Sequence, residues 1–448
     1  MHQEHAQQLT DSRSLSRLAL LPVEILDHVA QHLALRDKLA LASSSPHFND
    51  LCTRLIYRSI ELSSWPQVLR CCRTLLNSPR TAQAVRSLTI SLDSPPPPLL
   101  QAAYRTLSTA LRRLERLKTL HVAAPRDAYF SIVLAPCRFE HLVSLTLSLP
   151  IPRAFTAFLA RHDGLHALQI HPTVQATDLA SVPTIALPAL RTLVAPQLWL
   201  PKLVGAATHL EYVAILWDPR VPGDPHALLA TVGAPTTLVS VSHGWRVDVV
   251  DAAADTLPGL VALILRSSDP NEDTKALLDG LERGLPCWKQ LARLDVSFDS
   301  EPSREQPKPP TEAALEAGFT VVTRLGSLCP SLKRCSLPGA CLAPAPLAPA
   351  PNQVAHSARV GKASWARPVL LENAWFPQVA PAQKYKFIAM GIFSGRYPPA
   401  ILASAGIMTE AQTEALRDDV QQLRETGLTA WQIAEMVTSL MLSKRERW

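Results

Sequence analysis

From residue 85 onward one pattern keeps returning: apolar, two variable, apolar, one variable, apolar. It reads Val85-x-x-Leu88-x-Ile90, Leu117-x-x-Leu120-x-Val122, Leu142-x-x-Leu145-x-Leu147 and Leu165-x-x-Leu168-x-Ile170. Further copies, some shortened, begin at Leu190, Leu210, Leu238, Leu260, Leu291 and Leu332. Successive starts lie 32, 25, 23, 25, 20, 28, 22, 31 and 41 residues apart. Each copy ends in a period-two alternation suited to a short strand. Intervening stretches such as 102–117, 154–161, 227–232 and 274–284 read as helices. A strand plus a return segment at this interval predicts a solenoid with parallel strands, because one unit cannot bury its own apolar face. A doubly wound α/β domain is the alternative, and ten recurrences of one phrase favour the solenoid.

Ahead of the array the pattern is helical. Pro22 is preset for the first position of a helix, where its missing N–H costs nothing. Ile25, Leu26, Val29 and Leu33 follow at helical spacing as one apolar stripe. Asp37 is placed to cap a second helix carrying Leu39 and Leu41. Ser45 before Pro46 opens a third, with Phe48, Leu51, Cys52, Leu55 and Ile56 on one side. Three helices in about 40 residues bury too little surface to be secure alone. Such a unit needs a neighbour.

This phrase resembles the F-box, in the form common in fungal F-box proteins. The opening is Leu21-Pro22-Val23-Glu24-Ile25-Leu26, and the middle is Asp37-Lys38-Leu39-Ala40-Leu41-Ala42-Ser43. Phe48 stands where the family often has Trp, and the close is Leu55-Ile56-Tyr57-Arg58-Ser59-Ile60-Glu61-Leu62. Ala42-Ser43-Ser44 departs from it, since a larger apolar residue usually precedes the Ser. The resemblance covers residues 20–62 and implies docking on a Skp-type adaptor linked to a cullin scaffold. The chain would then be a substrate receptor of a ubiquitin ligase. Leu21, Pro22, Ile25, Leu26, Val29 and Leu33 would form the adaptor contact, and Leu39, Leu41 and Phe48 would hold the helices together.

The array itself resembles the irregular leucine-rich repeats that commonly follow fungal F-boxes. The Asn that normally follows the repeat phrase is missing throughout, so the coil is expected to be uneven and only partly curved. Such an array would bind a protein target on an extended concave face. Trp199, Trp217 and Trp245 would anchor that target if exposed and clustered, or else pack inside loops.

Residues 300–311 read as a mobile insertion, and the Pro/Ala-rich segment 338–368 as a semi-rigid linker. Beyond it, 414–423 and 430–442 carry helical spacing, with Thr429 as a cap. Thr409-Glu410, Leu416, Val420, Trp431, Ile433-Ala434 and Arg445-Glu446-Arg447-Trp448 resemble a Myb-like (SANT-type) repeat, with Met408 in place of the first tryptophan. That resemblance implies DNA contacts from Lys444, Arg445 and Arg447. The alternative is a helical accessory module. The expected organisation is thus a disordered 1–19, an F-box at 20–62, a solenoid at 63–337, a linker at 338–368 and a helical module at 369–448.

Composition narrows the chemistry. With 47% hydrophobic and 18% charged residues, the chain has ample core material. The net charge of +6 permits nucleic acid as a partner without demanding it. The eight cysteines form no CxxC pair and read as buried free thiols in a nuclear or cytosolic protein. The polar segment 1–16 is unlike a secretory signal, and no apolar run is long enough for a membrane span. No phosphate-binding glycine loop, nucleophile elbow or HExxH appears, so neither enzyme activity nor a cofactor is expected. His28 with His32, and His162 with His166, have i,i+4 spacing but no evident third ligand, and no metal is expected. Asp418-Asp419 reads as surface charge.

Overall fold

The computed structural model describes residues 21–92, 101–124, 128–149, 154–171, 183–205, 209–269, 274–298, 312–338, 363–367 and 375–379, with isolated positions between 383 and 422. The chain is mixed α/β with mostly parallel strands and divides into two compact units, Met1–His209 and Leu210–Trp448.

The first unit opens with α1 (Val23–His32), α2 (Leu35–Ser44) and α3 (Pro46–Ile56). Ser45 caps α3, its hydroxyl accepting the Phe48 N–H at 3.2 Å, with Pro46 in the first turn. α2 begins earlier than its sequence suggests. Ala34 occupies the cap position, and its carbonyl accepts the N–H groups of Asp37 and Lys38 at 3.1 and 3.0 Å. Asp37 therefore lies inside the first turn, where a negative charge favours the helix dipole, and does not cap it. Leu26, Ala30, Phe48 and Leu51 form the core of the three helices, with Leu33, Leu41 and Leu55 packed against it.

Next come β1 (Ser59–Leu62), α4 (Trp65–Asn77), α5 (Pro79–Ala84), β2 (Ser87–Ser91), α6 (Gln101–Leu111) and β3 (Thr119–Ala123). α7 (Ala128–Leu134), β4 (Ser144–Ser148), α8 (Ala154–Leu159), β5 (Ala167–Ile170), β6 (Thr192–Pro196), a 3-10 turn (Gln197–Trp199) and α9 (Leu200–Leu203) complete the described elements of the unit. Each of β2 to β6 pairs in parallel with the strand before it in the chain. β1 corrects a boundary: Ser59–Leu62 closes the helical phrase in sequence, yet it pairs with β2, Ile60 opposite Leu88 and Leu62 opposite Ile90. Tyr57-x-x-Ile60-x-Leu62 is a further copy of the repeated phrase.

The second unit runs β7 (Tyr212–Leu216), α10 (Pro225–Val232), β8 (Thr237–Ser242), α11 (Val247–Thr256), β9 (Ala262–Ser267), α12 (Thr274–Gly284), β10 (Arg293–Phe298), α13 (Glu312–Leu328) and β11 (Arg334–Leu337). These strands are parallel in chain order. β12 (Ala363–Ala366) then returns antiparallel to β11, and β13 (Phe376–Pro377) antiparallel to β12. Residues 363–366 thus form a strand inside the segment that reads as linker. Phe319 of α13 packs at 5.8 Å from both Phe387 and Tyr397. The Tyr397 hydroxyl donates to the Trp375 carbonyl at 2.7 Å, and Arg396 pairs with Glu316. Described positions as far as Tyr397 therefore close the end of this unit's core and do not stand apart from it.

Each of the ten copies from residue 85 onward falls on a strand of β2–β11 with its apolar positions buried, whereas Tyr57, Ile60 and Leu62 at β1 are half-buried. Leu120, Leu145, Leu168, Leu193, Val213, Leu238 and Leu263 make one buried row; Val122, Leu147, Ile170, Ala195, Ile215, Ser240 and Leu265 make the next. The register moves one copy. Leu238 lies opposite Val213 and Leu263, so it holds the middle position of its phrase and the buried Pro235 holds the first. Pro235 stands 25 residues after Leu210 and 25 before Leu260, which evens the spacing.

A second regularity lies in the backbone. The Lys118 carbonyl accepts the N–H groups of both Val143 and Ser144, at 2.8 and 3.0 Å. Arg58, Arg86, Val143, His166, Glu211, Thr236, Val261 and Ala292 each accept a pair in the same way. Arginines bridge successive helical segments as well: Arg113 donates to the Leu76 carbonyl at the end of α4, and Arg161 to the Ala135 carbonyl beyond α7. A cation suits the negative end of a helix and satisfies carbonyls that the helix leaves open.

Candidate partner-docking surface

The three N-terminal helices combine a small core with a large apolar exterior. Leu26 and Phe48 are fully inside, while Ile25 and Val29 are each 51% exposed. Successive helical residues are about 100° apart, so Ile25 and Val29 form one stripe and Leu26, Ala30 and Leu33 another. The sequence reading merged the two. Leu26 and Leu33 therefore belong to the core and not to an outward contact. Leu39, expected to hold the helices together, is 54% exposed. Leu41 and Phe48 do pack inward as expected. Leu21, Pro22, Ile25, Val29 and Leu39 face outward, joined by Val23 and Leu35, which the sequence reading missed. The α1 periodicity does not point to either: Val23 precedes Leu26 by three residues, on the core stripe, and Leu35 opens α2.

α2 is the extreme case. None of its residues is buried, although it carries three leucines. Six of the ten large hydrophobic residues exposed among the described residues lie between positions 21 and 39. Soluble surfaces seldom concentrate apolar side chains this way without a binding role. The flanking charges are modest: Asp27 pairs with Arg54 at 2.7 Å, and Gln31 donates to Asp27 at 3.3 Å.

No family model matches the chain, nor does any curated protein.

Other candidate residues resolve differently. Trp199, Trp217 and Trp245 are all buried and cannot anchor a partner from the surface. Arg246 lies 4.9 Å above the Trp217 ring and bonds Asp248 at 2.7 Å, while Trp245 packs 5.3 Å from Phe298. The Asp248 contact raises the Arg246 pKa. Aromatic payload buried in the segments that follow β6, β7 and β8 accounts for these positions.

His162 and His166 part company. His166 is exposed beside β5, and His162 is buried with both ring nitrogens engaged. His162 Nε2 accepts the Phe139 N–H at 3.0 Å, and Nδ1 lies 2.7 Å from the Phe158 carbonyl. That leaves no lone pair for a metal. His28 and His32 are exposed, their rings edge to face at 5.1 Å. No cluster of three metal-ligating side chains occurs among the described residues.

Cys52, Cys72, Cys137, Cys329 and Cys335 are buried, as expected, whereas Cys287 is exposed. Burial pushes the Cys72 thiol up to about 12 and that of Cys137 to about 11. Lys444, Arg445, Arg447, Met408, Trp431, Trp448 and Cys341 lie outside the described residues, as do 1–19 and 300–311. Asp418 is described and exposed, in keeping with surface charge. Among the described residues no helix is long and apolar enough to cross a membrane.

Proposed function

We propose that this chain is the substrate-receptor subunit of an SCF-type ubiquitin ligase. Its N-terminal helices act as an F-box that docks on a Skp-type adaptor, and the adaptor links it to a cullin scaffold. The strand array is an irregular leucine-rich-repeat-like solenoid that binds the protein target. One observation carries the reading: α2 buries no residue, yet turns Leu35 and Leu39 outward at 60% and 54% exposure. Burying one such side chain in an interface contributes roughly 1.5–3 kcal/mol, so an adaptor covering this surface supplies stability the helices lack alone. The resemblance of residues 20–62 to the F-box phrase names the occupant. The repeated phrase, its buried rows and the one-strand-per-phrase order support the solenoid.

Co-purification with a Skp-type adaptor tests the proposal. Ile25→Asp/Val29→Asp places two charges on the outward stripe and leaves the Leu26–Phe48 core alone. The variant should keep its melting midpoint and lose the adaptor. Capture equal to wild type overturns the reading.

A further inference from the structure

Charge is divided unevenly along the chain. Residues 1–209 carry 21 Lys and Arg against 13 Asp and Glu, while residues 210–448 carry 23 against 25. Part of the excess gathers on one edge of the first unit's strand array. The residue that follows the first position of each phrase is Arg58, Arg86, Lys118, Val143 and His166 in five consecutive coils. Their backbones are locked in one register. The carbonyl of each accepts the N–H of the next, at 2.9, 2.8, 2.8 and 2.9 Å in turn. The five therefore form a straight row at the ordinary interstrand spacing of about 4.8 Å. All are exposed except Arg86, which is half-buried.

Arg116, one residue before the phrase start in the same segment as Lys118, is a further exposed cation. Burial, then the charges of Arg116 and Arg58, lower the Arg86 pKa. No ion pair among the described residues joins Arg58, Arg86, Arg116 or Lys118 to a carboxylate. The Arg86 guanidinium instead donates to the Gln83 and Val85 carbonyls. Like charges on adjacent strands are unfavourable, and an anionic partner relieves them.

We propose that this row binds an extended acidic polypeptide segment. Four strand steps span about 19 Å at the usual spacing, the length of about six residues of extended chain. Val143, exposed within the row, offers an apolar contact between the cationic positions. A nucleic acid fits less well. Glu115, Glu140 and Asp163 recur two residues before the phrase start in three consecutive coils, all exposed, and an anionic flank repels a broad polyanion. The row also lacks the aromatic platforms on which bases stack. The inference rests on the receptor reading only in taking the acidic segment to be part of the target.

The test uses the full chain, fluorescence anisotropy and a short labelled peptide of alternating glutamate and alanine. Wild type should bind at about 50 mM salt and weaken at about 200 mM, as exposed charges are screened. Arg58→Gln/Lys118→Gln alters two side chains whose backbone bonds persist, so the melting midpoint should hold while affinity falls about tenfold. Glu115→Gln/Glu140→Gln removes the anionic flank and should tighten binding. No binding by wild type, equal affinity in the Arg58/Lys118 variant, no gain in the Glu115/Glu140 variant, or tighter binding of single-stranded oligothymidylate each overturns the proposal. Adaptor capture by the Arg58/Lys118 variant is read in parallel, which separates failure of the row from failure of the docking surface.

Discussion

His162 Nε2 accepts the backbone N–H of Phe139 at 3.0 Å, a hydrogen bond from the segment after α8 to the segment after α7. Leu114, Leu187 and Leu257 stand at the position equivalent to His162, three residues before the first apolar residue of their phrases, and all are buried. An imidazole in this row has a specific use. It satisfies a buried amide on one side and, through Nδ1–H, the Phe158 carbonyl on the other. These two contacts fix the neutral tautomer.

Acid should therefore weaken the first unit. Burial lowers the His162 pKa; Arg161 and Arg138 push the same way, while the Phe158 carbonyl and Asp163 oppose. The unfolded chain takes up the proton near the ordinary value of about 6.5. Stability is then complete above that pH and falls as pH drops from it toward the lower folded value. His121 and His171 are shifted down by burial as well and add to the same loss. His162→Leu should remove part of this dependence and, by stranding the Phe139 N–H, cost roughly 1–3 kcal/mol at neutral pH. Urea unfolding at about pH 7.5 and about pH 5.5, either side of the ordinary histidine value, measures both effects.

Stability and docking should separate cleanly between Phe48 and Leu39. Phe48→Ala empties the centre of the Leu26–Ala30–Leu51 cluster and should cost about 3–5 kcal/mol, unfolding the three helices. Leu39→Ala touches an exposed side chain and should stay within about 0.5 kcal/mol, while still weakening adaptor capture. Circular dichroism melts beside the pull-down distinguish the two; a large stability loss at Leu39 refutes the partition.

The array was readable because its signal is a row, repeated in the Leu120, Leu145 and Leu168 positions until single exceptions lose weight. Errors arose where one residue decided the register. Pro235 hides a phrase start, since proline is rarely counted with Leu and Val, and the pattern alone points to Leu238 instead. Tyr57 did the same for β1, whose phrase doubles as the tail of the helical motif. Ile25 and Leu26 are both apolar and adjacent, and only the three-dimensional position of Phe48 says which one faces it. Trp217 and Trp245 follow strands in short loops, where exposure depends on contacts such as Arg246 and Phe298 that no local pattern encodes. β12 lies in a Pro- and Ala-rich stretch, and its pairing with β11 is a tertiary choice.

Thiol chemistry should follow burial. Cys287 is exposed and should react with iodoacetamide in the native protein. Cys72 and Cys137, their thiols held protonated by burial, should react only after denaturant is added. Peptide mass mapping of labelled sites checks this. Labelling of Cys137 as fast as Cys287 would contradict the packing of α7 against its neighbours.

Gly391 tests whether the residues after β12 close the second unit. A methyl group at Gly391 would overlap the Tyr397 ring, closer than real carbon contacts come. The ring cannot simply swing away. It stacks 5.3 Å from Phe376, meets Phe319 edge-on at 5.8 Å, and its hydroxyl is tied to the Trp375 carbonyl. Relief must come from moving β13 or the Gly391 segment off α13. Overpacking of this kind costs about 1–3 kcal/mol, and here it should be spent locally, loosening 363–397 before the parallel strands yield. Limited proteolysis of Gly391→Ala should then cut within that segment while β7–β11 stay protected. A cleavage pattern unchanged from wild type would mean that the Tyr397 contacts do not hold the end of the array.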